Sequence, residues 1–512
     1  MKIHNTLTGT KDSFESLEPN TIRMYVCGVT VYDYCHIGHA RSALVFDVMG
    51  RYFEHLGYMV EFVKNFTDVD DKIIKRANDE GVTCSEITTK YIAAYHEDMQ
   101  RLGIRPAWRE PKATEHMDDI IRLISVLVKK GAAYQVDGDV YFSVQAYPSY
   151  GRLSKRRLED LLVGARVEVN ERKRHPMDFA LWKSGKTGEP SWESPWGAGR
   201  PGWHIECSAM SMRHLGETFD IHGGGMDLIF PHHENEIAQS CAATGKEFAR
   251  MWVHNGFVQI NQEKMSKSLD NFFTIREVFE KCKNYGWKSQ VTAEVLRYFL
   301  LATHYRSPLD FSDSGIFDTK RALDNIYNLF FQLEDQKSEM GSGDQMAKDA
   351  IERFKVTFHH AMDDDLNTPI ALAEFQRLRA DLNKSREVGL SKSASIEARE
   401  VYRTFGRILG LFDMSTSWQF AKNVSATFTI PAEARQGVTS DIAPSDKLSI
   451  GLVEAARVKI VITDTDIEQR VMERNEARKR KDYKRADEIR KSLAGQGITI
   501  EDRPDGTSRW KR

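Results

Sequence analysis

Three groups of residues in this 512-residue chain have types and spacings suited to chemistry rather than to packing. The first is Cys35-His36-Ile37-Gly38-His39-Ala40. It stands just before an apolar helical pattern, so it places a helix N-terminus, with unpaired N–H groups and a positive dipole end, where a phosphate is favoured. Gly38 lets a nucleotide approach closely, and two histidines three residues apart can both donate to phosphate oxygens as charge builds up. The plainer alternative is histidines that merely begin a helix. The second group is Lys264-Met265-Ser266-Lys267-Ser268, in a polar loop after Val258-Gln259-Ile260. Two lysines bracketing small polar residues can clamp a triphosphate and neutralise a departing pyrophosphate, whereas alone they would read as a solvated basic loop. It is the pairing of the two groups, at opposite ends of one α/β region, that favours phosphate chemistry.

The third group has metal-ligand residue types: Cys27 at the end of a strand, Cys207, and Pro231-His232-His233-Glu234-Asn235-Glu236. If Pro231 opens a helix, His232 and Glu236 lie at i and i+4 on one face. Two thiolates, an imidazole and a carboxylate would complete a tetrahedral zinc shell. His233 with Glu236, at i and i+3, is a rival geometry that spacing leaves open, as it leaves open two buried cysteines beside a polar helix start.

The elements that must hold these groups are legible in the periodicity. Arg23 to Gly28 reads as a short buried strand. Leu44, Val45, Val48, Met49, Tyr52, Phe53 and Leu56 then recur at helical spacing, and Val60 to Phe66 reads as the next strand. Strand, crossover helix and strand at this spacing predict a parallel sheet of the nucleotide-binding type. The texture changes between about 110 and 200, where Asp137-Gly138 between alternating apolar residues predicts a hairpin. That stretch reads as an insertion, after which α/β character resumes near Gly202 and runs to about 310. From Phe317 the pattern is helical, and Asn367-Thr368-Pro369 carries a helix-start signal. Residues 413–450 read as a linker or irregular excursion.

Composition bounds the rest. The length predicts roughly three or four domains. A hydrophobic content of 41% and a charged content of 29% describe a soluble globular protein. No run of about eighteen apolar residues is present, which excludes a membrane span, and the first twenty residues lack a signal-peptide pattern. Cytoplasm is the expected compartment. The six cysteines are too thinly spread for a disulfide framework. A net charge of −2 argues against indiscriminate nucleic-acid binding, yet from Gln469 to the end there are fourteen Lys/Arg against eight Asp/Glu, a local excess of six.

Taken together, the histidine and lysine motifs resemble the two signatures of class I aminoacyl-tRNA synthetases. Within that class, Tyr25-Val26-Cys27-Gly28-Val29-Thr30-Val31-Tyr32-Asp33 leading into His36-Ile37-Gly38-His39 resembles the cysteinyl-tRNA synthetases. So do Arg200-Pro201-Gly202-Trp203-His204-Ile205-Glu206-Cys207-Ser208 and His222-Gly223-Gly224-Gly225 with Asp227. The match runs in order through nearly the whole chain. It implies an α/β fold with a Rossmann-type parallel-sheet catalytic domain and an inserted connective domain, followed by an α-helical bundle and a small C-terminal anticodon-binding domain. The implied boundaries are 1–110 and 200–310 for the split catalytic domain and 111–199 for the insertion. The bundle takes 311–412, the linker 413–464 and the anticodon domain 465–512.

The resemblance also implies roles. The zinc ligands, one ion per chain, map onto Cys27, Cys207, His232 and Glu236. Catalysis falls to His36, His39, Lys264 and Lys267. ATP, taken with magnesium, maps onto Gly38, His39, His222, Gly223, Gly224, Asp227 and Lys267, and the cysteine pocket onto Thr30, Thr67 and Trp203. Zinc would act as a selector with an open or displaceable position, because shape alone separates such close analogues by only about 10- to 200-fold, while a soft thiolate binds zinc far better than a hydroxyl. Arg478, Tyr483, Asp487 and Asp502 would read anticodon bases. The implied partners are tRNA(Cys), L-cysteine and ATP, with no membrane and a monomeric chain. Asp270 departs from the family, which usually has glycine there, and Tyr483 stands where many relatives have tryptophan. The basic tail distinguishes this reading from its nearest rival, a paralogue that joins cysteine to an amino sugar and lacks such a domain.

Overall fold

The structure, a computed structural model, describes residues 1–158, 172–260, 263–264, 273–413 and 418, and in the C-terminal part 471, 474, 486, 489–490, 493, 499–502 and 508–511. Its centre is a four-stranded, all-parallel sheet in the order β10-β9-β3-β4. A short antiparallel pair, β1 (Lys2–Asn5) and β2 (Thr10–Ser13), precedes it. In chain order come β3 (Thr21–Thr30), α1 (Ile37–His55), β4 (Met59–Thr67), α2 (Asp71–Glu80), α3 (Cys84–Arg101) and α4 (Met117–Lys129). The strand-helix-strand start expected from the periodicity is β3-α1-β4.

A second, antiparallel sheet follows, with strands β5 (Ala133–Val136), β6 (Asp139–Phe142), β7 (Phe179–Ser184) and β8 (Gly199–Pro201) in sequential order. The hairpin between β5 and β6 turns on Asp137 and Gly138, both at positive φ (50° and 84°). That pair of angles matches the right-handed twist of the flanking strands, which is why Asp-Gly serves there. Then come α5 (Trp203–Leu215), β9 (Phe219–Gly225), α6 (Glu234–Thr244), β10 (Ala249–Asn255), β11 (Val258–Ile260), β12 (Glu263–Lys264), α7 (Ile275–Asn284), α8 (Ser289–Leu301) and β13 (Leu309–Asp310).

The chain continues as four helices: α9 (Asp313–Glu334), α10 (Asp344–Asp363), α11 (Thr368–Val388) and α12 (Lys392–Leu409). Asn367 caps α11 by accepting from the Ile370 N–H, with Pro369 in the first turn. Helical pattern begins at Asp313 rather than Phe317 because Ser312 supplies an earlier cap, accepting from Gly315 N–H. Among the described residues no helix is long and apolar enough to cross a membrane.

Two compact units divide the chain, Met1–Val424 and Ser425–Arg512. In the second, β14 (Thr499–Asp502) and β15 (Ser508–Lys511) form an antiparallel pair, and Val471, Ala486, Ile489 and Leu493 are buried. In the first, alternate residues of β3 enter different cores: Ile22, Met24 and Val26 pack with α1, whereas Tyr25 and Cys27 pack with α4 and α5. The sheet is thus covered on both faces, as a parallel sheet requires. From β3 the chain crosses to β4 on one side, and from β9 it crosses to β10 on the other. Between β3 and β9 the direction of winding reverses, and the crevice beyond their C-terminal ends is the place where such sheets bind ligands.

Candidate functional site

That crevice holds a cavity of about 420 Å3. Cys27 and Thr30 from the end of β3 line it, with His36, Gly38 and His39 from the start of α1. Trp203 and Asp227 also line it. Thr67 ends β4 but is 2% exposed and does not line the cavity.

The histidine motif forms a reciprocal cap. Nδ1 of His36 accepts from the His39 N–H, and Nδ1 of His39 accepts from the His36 N–H, both at 3.3 Å. The rings stack with centroids 3.7 Å apart. Because each Nδ1 is an acceptor, the proton of each neutral ring sits on Nε2, which makes both rings outward donors.

Of the lysine motif, Lys264 is described, and the chain resumes at Phe273 beside the histidine motif. Lys264 lies in β12, whose backbone pairs with β11 at Gln259. The chain returns at Phe273 and Thr274, where Ile37 N–H donates to Phe273 O at 3.2 Å and Ile275 N–H donates to Cys35 O at 2.9 Å. Lys267 and Asp270 lie outside the described residues.

On the opposite face of β3 the metal-type residues converge. Ligand atoms of Cys27, Cys207, His232 and Glu236 all lie within 4.8 Å of one another, and all four residues are buried. Cys27 Sγ is 3.4 Å from both His232 Nε2 and Glu236 Oε1, and the last two are 3.0 Å apart. The helix proper begins at Glu234, after an irregular turn over Ile229–His233 in which Phe230 is extended. His232 still reaches Glu236 at i, i+4. A second group, Cys27, His222, His233 and Glu236, meets the same distance limit. It contains one sulfur instead of two. His222 Nε2 in it already meets Glu236 Oε2 at 2.9 Å, and His233 Nδ1 already meets His254 Nε2 at 2.8 Å.

The four side chains of the first group act strongly on one another's charge. A hydrogen bond from Cys27 lowers the Cys207 thiol to about 6 against the effect of burial, while burial pushes Cys27 up. Burial works to raise Glu236, but His222 and His232 outweigh it and bring it down to about 2. Burial works to lower His232, yet Glu236 and Cys207 hold it up at about 10. The remaining sides of these groups are braced: His232 Nδ1 lies 2.9 Å from His204 Nδ1, and Trp203 stacks on the His232 ring at 4.1 Å. Two sulfurs, a nitrogen and a carboxylate oxygen with such outer support suit zinc.

Some expected contacts sit elsewhere. His222 is wholly buried, stacked on Trp252 at 4.3 Å, and is not part of the cavity wall. A Cβ on Gly223 would run into the Phe46 ring of α1, and one on Gly224 would meet His233 at 2.9 Å, so these glycines permit close packing. Arg478, Tyr483 and Asp487 lie outside the described residues, and Asp502 is placed only as part of β14.

Sequence reading missed Asn65, which accepts from Gly28 N–H at 2.9 Å and lies 3.8 Å from Cys207 Sγ. It also missed His204, Lys64 and Arg41. The available signal was Lys64-Asn65, two adjacent polar residues between the apolar Phe62-Val63 and Phe66 of β4. Arg41 is fully buried and donates to the carbonyls of Gly256, Phe257, His304, Tyr305 and Ser307. It thereby ties α1 to the segment from which β11 and the lysine loop emerge.

Comparison with known proteins is consistent along the chain. The model of the tRNA synthetases class I (C) catalytic domain matches residues 13–321. A DALR domain matches 357–413, and the cysteinyl-tRNA ligase anticodon binding domain matches 464–510. The cysteine–tRNA ligase of Geobacter sulfurreducens is 50% identical over 100% of this chain and 99% of its own length. That of Geobacter metallireducens is 49% identical with the same coverage. Among solved structures, the Mycobacterium tuberculosis methionyl-tRNA synthetase with methionyl-adenylate shares the fold, with a TM-score of 0.56 at 15% identity over 76% of this chain and 89% of that one.

Proposed function

The chain belongs to the class I cysteinyl-tRNA synthetases, and from that membership we propose how its residues carry out the cysteine–tRNA ligase reaction. L-Cysteine is activated by ATP to cysteinyl-adenylate, and the cysteinyl group passes to the 3′-terminal adenosine of tRNA(Cys). Cys27, Cys207, His232 and Glu236 hold the metal, which we take as zinc, one per chain. Held there, zinc supplies a soft acceptor for the substrate thiolate and so separates cysteine from serine. Trp203 and Thr30 shape the cysteine pocket from the cavity wall, and Thr67 supports it from beneath.

During activation the cysteine carboxylate attacks the α-phosphorus of ATP. His36 and His39 donate through Nε2 to the phosphate oxygens as charge accumulates. Lys264 and Lys267, on a loop anchored at Cys35–Ile37, hold the triphosphate with magnesium and the leaving pyrophosphate. Gly38 and His39 keep the phosphates close, and Asp227 takes ribose hydroxyls. Gly223 and Gly224 seat that segment against α1 and His233. His222 acts at one remove, by bracing Glu236. Arg478, Tyr483, Asp487 and Asp502 read the anticodon from the segment 465–512. The split catalytic domain takes 1–110 and 200–310, with the insertion at 111–199, the bundle at 311–412 and the linker at 413–464. We take the enzyme to be a cytoplasmic monomer.

One observation carries this reading: the sulfur, imidazole and carboxylate cluster lies beside the same cavity that the paired histidines face. The test is amino-acid-dependent ATP–pyrophosphate exchange with cysteine, serine and alanine, on metal-replete and chelated protein, alongside metal content by atomic absorption. Exchange with cysteine alone, lost with the metal, is expected. Equal exchange with serine would remove the thiolate selector, and normal exchange by Lys267→Ala would remove the lysine assignment.

A further inference from the structure

Lys64 is a buried cation with no ion pair among the described residues. It lies in the middle of β4, 8% exposed, on the face packed by α1 and α3. Asn65 points the other way, to Gly28 and Cys207. Among the described residues the Lys64 ammonium makes no ion pair and no side-chain hydrogen bond; its one close partner is the Tyr95 ring, 5.2 Å away. The acids around it are already taken. Asp47 on α1 is held by Arg51 at 2.9 Å and by Arg297 at 3.1 Å. Glu110 lies 3.4 Å from His96. The Cys35 thiol, driven up to about 12 by burial, stays neutral, and the Tyr95 phenol is likewise held neutral by burial.

A buried charge without a partner weakens a fold, and a methionine would fill the same space without that cost. Yet Lys64 lines the active-site cavity. Lys72, over the Tyr32 ring at 5.5 Å, lines it as well. Strand order gives these lysines a definite flank. β4 stands at the opposite edge of the sheet from β10, whose Asn255 lines the other side of the cavity with Asp227.

We infer that Lys64 is an anion-binding residue of the cavity, donating to a phosphate oxygen that enters along the β4 flank. The inference rests on the ligase reading, under which two substrates carry phosphate to this place: the triphosphate of ATP and the 3′ strand of the tRNA. Burial lowers the free ammonium to about 8, opposed by Cys35, Glu110 and Asp47. The site therefore loses its charge, and with it anion affinity, as pH rises through that value, and a bound phosphate would restore the proton.

Full-length wild type, Lys64→Met and Lys64→Arg distinguish the outcomes. Two arms are read: KM for ATP in pyrophosphate exchange, and tRNA concentration dependence of single-turnover transfer from preformed adenylate. Lys64→Met should weaken one arm about 10- to 100-fold, the range for a hydrogen bond to a charged group, with an unchanged or higher melting temperature. Lys64→Arg should stay near wild type. In wild type the affected constant should worsen between about pH 7 and about pH 9.5, and in Lys64→Arg it should stay flat, because guanidinium keeps its charge there. The arm that responds identifies the phosphate source. Unchanged constants in both arms, or a loss that follows a lowered melting temperature and is not rescued by Arg, would overturn the inference. If wild type showed no exchange with cysteine, the ligase reading alone would fall, and calorimetric ATP binding to the three proteins would still test Lys64.

Discussion

Nε2 of His222 lies 2.9 Å from Oε2 of Glu236, and both residues are fully buried. The other oxygen of the same carboxylate faces His232 at 3.0 Å. Glu236 is thereby fixed between one imidazole of the metal-type cluster and one outside it. Replacing His222 with Gln should lower metal affinity about 10- to 100-fold, the usual cost of losing an outer partner. Competition with a chromophoric chelator would read this directly. Unaltered metal affinity together with a raised KM for ATP would return His222 to the nucleotide.

Arg41 holds carbonyls from two segments, Gly256–Phe257 and His304–Ser307, with one planar group. Lysine carries the same charge as a single point and cannot serve both. Arg41→Lys should cost about 2–4 kcal/mol of stability by leaving buried carbonyls unpaired. It should also slow pyrophosphate exchange through kcat, since β11 and the lysine loop follow from the segment it anchors. Thermal unfolding and steady-state exchange on the same preparation would separate the two effects.

The missing side chain of Gly223 is occupied by the Phe46 ring. Gly223→Ala must therefore push α1 away from β9, an overpacking that costs about 1–3 kcal/mol. Because His36 and His39 begin α1, exchange should fall as well. A second change, Phe46→Leu, should recover part of both losses in a double-mutant cycle, and purely additive effects would refute the contact.

Glu294 on α8 accepts from Tyr327 Oη–H at 2.7 Å and from Phe412 N–H at 2.8 Å. Burial raises its pKa from 4.5 to about 7. The folded state then binds more protons than the unfolded one between these values, so this group makes stability fall as pH rises from about 4.5 to about 7. Glu294→Gln keeps an acceptor without a charge. It should raise the melting temperature at about pH 8 and change it little at about pH 4, which scanning calorimetry at the two values would test.

Much of the site could be read in the chain itself because its motifs are local. His36 and His39 are three residues apart, and a three-residue spacing at a helix start is enough to fix the reciprocal cap. The hairpin at Asp137-Gly138 follows from two backbone angles. The contacts of Asn65 and Arg41 were not legible, since their partners lie up to 142 and 266 positions away in sequence. The packing of Gly223 and Gly224 was hidden for the same reason: their neighbours, Phe46 and His233, come from other elements.

The sequence by itself determined the class of fold and the chemistry on offer. Alternating and helical apolar patterns depend on neighbouring residues, and so do caps and turns. Only the tertiary structure decided which imidazoles face the cavity and which brace a carboxylate, and it kept two overlapping four-residue clusters around Glu236 within one distance limit. It also decided that Lys64 has no counter-ion among the described residues. Such outcomes depend on how strands 3, 4 and 9 are ordered in the sheet and on which face each side chain takes. Electrostatic partnership is set by distance through space, and folding brings together groups that no local pattern relates.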